Sequence, residues 1–355
     1  MLDAHDYTLR GTPEDGELSI ALTRYRLARS PPSCATLATE RLALLFVHGV
    51  SSHKECWLPT IERLFELHAT APSTAFDLVE AWAIDSPNHG HAAALNEKHF
   101  LTHPEGITAY EWGRAVQVLL STGLISGTSI VGIGHSAGAC VTILSTTGFP
   151  TTALPYASLI LIEPPMMSRE ILARAQARER QTALLSVIEM AKIRKDVWVS
   201  REEARTWFAK RLPWKRWTER ALGLYIDHAL RDLPTGTYPD VEGGVTLACT
   251  RVQEAVGYVY HQDGIDSLDW LKELCPAIPV HCIFGGRLDM VPEETKRSIV
   301  DESEGRRMTS VTHVAGAGHL VVQEDPDGLA LAIWGALHHG QGYKQNDVTE
   351  RKSKL

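Results

Sequence analysis

Three side chains, far apart in the chain, carry the makings of acyl-transfer chemistry. The first is Ser136, at the centre of Gly134-His135-Ser136-Ala137-Gly138. A serine hydroxyl is a poor nucleophile unless a neighbouring base takes its proton. His319, in the glycine-flanked stretch Ala315-Gly316-Ala317-Gly318-His319, is the candidate base. A carboxylate should then orient the imidazole and stabilise its charged form. Two positions compete for that role: Asp289, in Gly286-Arg287-Leu288-Asp289-Met290-Val291-Pro292, and Glu163, in Leu161-Ile162-Glu163-Pro164-Pro165. Spacing alone favours Asp289. Other histidines fit the base less well: His313 lies within an apolar run, His338 and His339 close a helical stretch, and His89 and His91 flank Gly90.

The reaction also needs two N–H donors for the oxyanion of a tetrahedral intermediate. One is expected from Ala137, directly after the nucleophile. The other is expected from Val50, in the loop His48-Gly49-Val50, where a glycine lets the backbone approach a substrate. His48 itself is expected to hold that loop by hydrogen bonds rather than to react.

These residues need elements to carry them. Thr128–Ile133 before the serine is apolar, and Ala139–Leu144 after it is small and apolar, so the serine sits at a sharp strand-to-helix turn. Leu42–Val47 reads as a buried parallel strand ending at His48. Val79–Ile84, Leu159–Ile162, Pro279–Phe284 and Ser310–Val314 read as further strands, each ending at a polar or glycine-rich turn. Helical spacing appears over Trp57–Leu67, Tyr110–Leu120 and Leu329–His338. Leu18–Leu22 and Arg24–Leu27 read as antiparallel strands at a sheet edge. The pattern is an α/β chain with a mostly parallel central sheet flanked by helices. Residues 166–270 break the alternation. They are helical, amphipathic and rich in Trp, Arg and Lys, with Ser200-Arg201-Glu202-Glu203 as a capping-box start. The expected organisation is a core over 1–165 and 271–340, a helical cap inserted at 166–270, and a flexible tail over 341–355.

Composition narrows the field. With 355 residues, 44% of them apolar, the chain can bury one large core plus an inserted subdomain. A net charge of −8 and no basic stripe argue against nucleic acid as a partner. The six cysteines (Cys34, Cys56, Cys140, Cys249, Cys275, Cys282) form no CxxC pair and read as reduced thiols of an intracellular protein. No metal and no cofactor are expected. The opening Met1-Leu2-Asp3-Ala4-His5-Asp6 is polar and acidic, unlike a signal peptide. The final Ser353-Lys354-Leu355 matches a peroxisomal address, which makes the import receptor an expected partner and the peroxisomal matrix the expected location.

Taken in order, these motifs resemble the α/β-hydrolase superfamily across nearly the whole chain. Three stretches, His48-Gly49-Val50-Ser51-Ser52-His53-Lys54-Glu55-Cys56-Trp57, Asp85-Ser86-Pro87-Asn88-His89-Gly90 and Leu161-Ile162-Glu163-Pro164, look like fungal peroxisomal serine hydrolases. That group includes acyl-CoA hydrolases of the mycophenolic-acid pathway and proteins of toxin gene clusters. In that acyl-CoA hydrolase type the acid of the triad follows the strand before the cap, as an aspartate. The resemblance therefore implies Glu163, with glutamate as the departure, where spacing favoured Asp289. It also implies a serine hydrolase that cleaves acyl thioesters or esters, foremost acyl-CoA, with secondary-metabolite (toxin) biosynthesis as one setting the group supplies. Serine at the turn, where haloalkane dehalogenases and epoxide hydrolases carry aspartate, argues against those chemistries. The rivals are a carboxylesterase or lipase acting on uncharged esters, and a non-catalytic hydrolase fold used for binding; a homodimer is an open arrangement. Lys192, Arg194, Lys195, Lys210, Arg211, Lys215 and Arg216 are candidates for meeting CoA phosphates, with a solvated helix face as the plainer reading. Trp207, Phe208, Trp214 and Trp217 are candidates for an acyl pocket, and equally for cap packing.

Overall fold

Eight strands form the central sheet of the computed structural model, which describes residues 1–28, 40–71, 75–177 and 183–339. In chain order the strands are β1 Leu2–Arg10, β2 Ser19–Leu27, β3 Glu40–Val47, β4 Phe76–Ile84, β5 Ser129–His135 and β6 Ser158–Ile162. Three short cap strands follow, β7 Val197–Trp198, β8 Leu230–Asp232 and β9 Val245–Leu247, and then β10 Val280–Gly285 and β11 Ser310–Val314. The central order is β1-β2-β4-β3-β5-β6-β10-β11. β1 and β2 run antiparallel at one edge, and every pairing from β4 to β11 is parallel. The two expected edge stretches are one strand, β2. Its partner is the polar opening of the chain, whose alternation is too weakly apolar to read as a strand from sequence.

Continuous apolar runs become central strands because both sheet faces are covered. In β3, Leu42, Leu44 and Phe46 enter one apolar layer, while Leu45 and Val47 enter the other. In β6, Ile160 and Ile162 take the first side, Leu159 and Leu161 the second. The first layer is closed by the helices Leu58–Thr70 and Pro326–Leu337, the second by Ala109–Ser121, Ala137–Leu144 and His261–Leu274. Each large side chain sealed this way, such as Phe46 or Leu45, contributes about 2 kcal/mol. The helix Ala109–Ser121 starts at a full capping box: Thr108 Oγ1 accepts from the Glu111 N–H and the Glu111 carboxylate accepts from the Thr108 N–H.

The insertion departs from the expected all-helical cap. Besides the helices Arg169–Ala177, Ala183–Ile193, Arg201–Ala209, Glu219–His228 and Arg251–Val256, it contains an antiparallel sheet in the order β7-β9-β8. Strands of two or three residues are too short to show a period of two. The expected boundary at 270 falls inside the helix His261–Leu274, whose Leu268, Leu271 and Leu274 join the central layer. At Ser200 only half of the expected capping box forms. Ser200 Oγ accepts from the Glu203 N–H, while the Glu203 carboxylate turns to the Val199 N–H and to Lys195.

Trp207, Phe208, Trp214 and Trp217 pack against one another and Tyr225 in the cap's own apolar cluster. For Phe208, fully buried, and Trp214, nearly so, cap packing is the reading that holds; Trp207 and Trp217 pack on the same cluster and are partly buried. The tail over 341–355, with Ser353, Lys354 and Leu355, and also Cys34, lie outside the described residues.

Candidate active site

The carboxyl ends of β3, β5, β6, β10 and β11 lie side by side in the sheet, and each leads into one of the segments singled out from sequence. β5 ends at His135, and Ser136 follows with φ 53 and ψ −126, a left-handed backbone that non-glycine residues seldom adopt. The turn closes because its flanks lack side chains. A Cβ on Gly138 would stand 2.3 Å from the Val47 carbonyl oxygen, and one on Gly134 would stand 2.3 Å from the Gly138 carbonyl oxygen. The Ser136 N–H donates to the Ile162 carbonyl at 2.9 Å, tying the apex to the end of β6. The helix Ala137–Leu144 starts at the next residue, so the Ala137 N–H is outside its own helical ladder.

His319 reaches this apex from the loop after β11. Its Nε2 lies 2.9 Å from Ser136 Oγ, and its Nδ1 lies 3.1 Å from Glu163 Oε2. The carboxylate takes the Nδ1–H, which leaves the Nε2 lone pair facing the serine hydroxyl. Glu163 follows β6 directly and has a left-handed backbone, φ 46. Its other oxygen accepts from the Gly285 N–H at 2.7 Å and from the Lys296 ammonium. Burial alone would raise the Glu163 pKa; the bonds and charges of His319 and Lys296 outweigh it and bring the carboxyl down to about 2.

Asp289 does not touch the ring. Its Oδ1 accepts from the His319 main-chain N–H at 2.9 Å and from the Met290 N–H at 2.6 Å, and its Oδ2 accepts from Arg287 at 3.2 Å. The preference that spacing gave to Asp289 is therefore corrected: the imidazole turns to Glu163, and Asp289 holds the loop that carries it. Both carboxylates converge on one residue, one on its side chain and one on its backbone.

Two further supports gave no sequence signal. Lys296 projects from the charged helix Glu293–Ile299, where a lysine ordinarily reads as surface. His135, the last residue of β5, is buried against the His319 loop, and its Nε2–H donates to the His319 carbonyl at 2.8 Å. Burial, with His319 close by, lowers the His135 pKa to about 3, so it stays neutral near pH 7.

The loop His48-Gly49-Val50 crosses the apex closely. A Cβ on Gly49 would meet Ser136 Cβ at 3.0 Å. His48 locks the loop as expected. Its Nδ1–H donates to the Gly49 carbonyl at 2.7 Å, and its Nε2 accepts from the Ser86 N–H at 3.0 Å. Complete burial lowers its pKa well below the ordinary value. His89 accepts from the Ser51 N–H through Nε2 at 3.1 Å and faces Asn88 Oδ1 through Nδ1 at 2.7 Å. Among the described residues no group of three or more His, Cys, Asp or Glu is placed to hold a metal ion.

The basic cap residues have mostly local partners. Arg194 is buried against Glu254 and lies over the Trp214 ring, so it is withdrawn from the set able to meet a phosphate. Lys195 pairs with Glu203, Lys192 with Glu189, and Arg211 stacks on Trp207.

A model described as "Alpha/beta hydrolase family" matches residues 44–332. The type I acyl-CoA thioesterase mpaH of Penicillium brevicompactum is 27% identical over 232 residues, 63% of this chain. The match spans about half of that relative, 47% of its length. Among solved structures, the peroxisomal alpha-beta-hydrolase Lpx1 of Saccharomyces cerevisiae superposes with a TM-score of 0.71 at 19% identity, over 95% of this chain and 88% of its own. The thioesterase domain from the curacin biosynthetic pathway gives 0.64 at 14% identity, over 94% and 99%. An esterase of Mycobacterium tuberculosis gives 0.61 at 16% identity, over 95% and 92%. At such identities the structural likeness establishes the fold alone.

Proposed function

The chain belongs to the alpha/beta hydrolase family, and from that premise we propose that it is a serine hydrolase that cleaves acyl thioesters, foremost acyl-CoA, through an acyl-enzyme. The observation that carries the reading is the unbroken line from Ser136 Oγ through the His319 ring to Glu163. In this mechanism His319 Nε2 takes the hydroxyl proton as Ser136 Oγ attacks the acyl carbon. Glu163 keeps the imidazole in the productive tautomer and faces its positive charge. The Ala137 and Val50 N–H groups receive the oxyanion. The proton held on His319 then passes to the departing sulfur or oxygen. A water molecule, deprotonated by the same nitrogen, opens the acyl-enzyme and releases the acid.

Support for a thioester comes from the partial likeness to mpaH, named as a type I acyl-CoA thioesterase. Lys210, Lys215 and Arg216 are the cap cations left to meet CoA phosphates in this reading. A peroxisomal location is proposed with it, supported by the peroxisomal neighbour and by Ser353-Lys354-Leu355. A role in a fungal secondary-metabolite or toxin pathway is the finest part of the proposal and rests on resemblance alone.

One observation favours the carboxylesterase alternative: Lys192, Arg194 and Lys195 are already engaged by carboxylates, which leaves fewer cations for a triphosphorylated leaving group. Release of free thiol from a panel of acyl-CoAs, measured beside hydrolysis of p-nitrophenyl esters, separates the two. Turnover of the CoA thioesters is expected, and activity confined to the simple esters would remove the thioesterase reading.

A further inference from the structure

The loop that carries Val50 is gripped from the cap side as well as from the sheet. Ser51, with φ 65, donates its hydroxyl proton to Glu254 Oε1 at 2.5 Å. The Tyr258 hydroxyl lies 2.8 Å from the same Ser51 oxygen and, with the serine proton committed, is the donor there. Glu254 is buried and held from behind by Arg194, whose Nη1 donates to Oε1 at 3.0 Å while Nη2 donates to Oε2. Gly257 packs on Val50: a Cβ at Gly257 would lie 3.1 Å from both Val50 methyl groups. On the same helix, Gln253 Oε1 accepts from Asn88 Nδ2 at 3.1 Å, and Asn88 faces the His89 ring that receives the Ser51 N–H. Residues 253–258 of the cap therefore hold the loop at Val50, at Ser51 and behind His89.

A peptide N–H stabilises an oxyanion only when it is aimed before the charge develops. The Val50 N–H sits one residue before Ser51, and the Ser51 backbone is in a left-handed conformation that needs outside restraint. We propose that Ser51 and Glu254, braced by Arg194 and Tyr258, are positioning residues for the oxyanion donor at Val50, so that seating of the cap completes the catalytic apparatus. The inference rests on the serine-hydrolase reading above. It differs from a purely structural latch in one respect: loss of the Ser51 hydroxyl should slow the chemical step without weakening substrate capture.

The test uses the full chain. Ser51→Gly removes the hydroxyl and suits the left-handed backbone, so its effect is not one of added strain. Tyr258→Phe, which removes only a donor to Ser51, covers the case in which Ser51→Gly fails to fold. Leu64→Ala, in the opposite apolar layer, serves as a merely destabilised control. Two rates are read well below the melting temperature of each variant: phosphonylation of Ser136 by a fluorophosphonate, and hydrolysis of p-nitrophenyl butyrate. We expect Ser51→Gly to lower kcat and the labelling rate about 10- to 100-fold with KM changed less than about threefold. Tyr258→Phe should lie between it and the parent, and Leu64→Ala should match the parent. A Ser51→Gly protein that labels and turns over at the parental rate, or that changes only KM, overturns the inference while leaving the hydrolase reading intact. A parent whose Ser136 resists the probe overturns that reading, and the inference with it.

Discussion

His135 donates from Nε2 to the main-chain carbonyl of His319, 2.8 Å away, so the residue directly before Ser136 anchors the backbone of the histidine that faces it. The separation between Ser136 and His319 is thus set by a neighbour in the chain as well as by their own 2.9 Å contact. With Asp289 on the His319 N–H and Glu163 on its ring, the residue is restrained at three points.

Ser136→Ala should abolish fluorophosphonate labelling and lower turnover by at least about 10³-fold, because the remaining groups have no nucleophile to activate. The melting temperature should not fall, since the hydroxyl's bond within the protein is to His319. Residual labelling of the variant would show that another residue reacts.

Glu163→Gln and Asp289→Asn should differ sharply. The first leaves His319 without an ionised partner and Lys296 without its countercharge, and kcat should fall about 10³- to 10⁴-fold. The second keeps an oxygen able to accept the His319 N–H, and a loss below about 10-fold is expected. Steady-state kinetics on one ester substrate decides the matter; the reverse ranking would return the orienting role to Asp289.

The depressed Glu163 pKa has a signature in stability. Its folded value, about 2, lies below the 4.5 of a free glutamate, so ionised Glu163 favours the folded state above pH 4.5. That contribution, on the order of 3 kcal/mol, should fade as pH falls from 4.5 towards 2. Melting temperatures recorded across this window should drop more steeply for the parent than for Glu163→Gln. Parallel curves would contradict the assignment.

Gly138→Ala should fail as a fold and not as a catalyst alone. The added carbon would press on the carbonyls of Val47 and His48, at 2.3 and 2.4 Å, and β3, paired on both sides within the sheet, cannot move without its neighbours. A loss of about 3 kcal/mol or more is expected, read as insolubility or a lowered melting temperature.

Removing Ser353-Lys354-Leu355 from a fluorescent fusion should turn a punctate peroxisomal pattern into a diffuse one. Persistent puncta would dispose of the proposed address.

Much of the fold was legible because its signals are local and strong. Unbroken apolar runs such as Leu42–Val47 gave the central strands, and paired glycines around Ser136 gave the turn. The serine and the histidine were legible for the same reason. The acid was not, because Glu163 and Asp289 both follow strand ends and both reach His319; it is the folded loop that gives one the ring and the other the backbone. Lys296, His135 and the Ser51–Glu254 contact were silent for a different reason. Each depends on a partner between 133 and 203 positions away, and no periodicity encodes a meeting across that distance. The small cap sheet escaped because strands of two and three residues carry no pattern.

The left-handed backbones of Ser136 and Glu163, on the ends of neighbouring strands, carry a liability for anyone breeding tougher forms of this protein. Glycine relaxes both positions, so a screen that rewards heat resistance and ignores turnover would be drawn to the two sites where replacement is expected to destroy activity. Libraries built from this scaffold should hold those codons fixed.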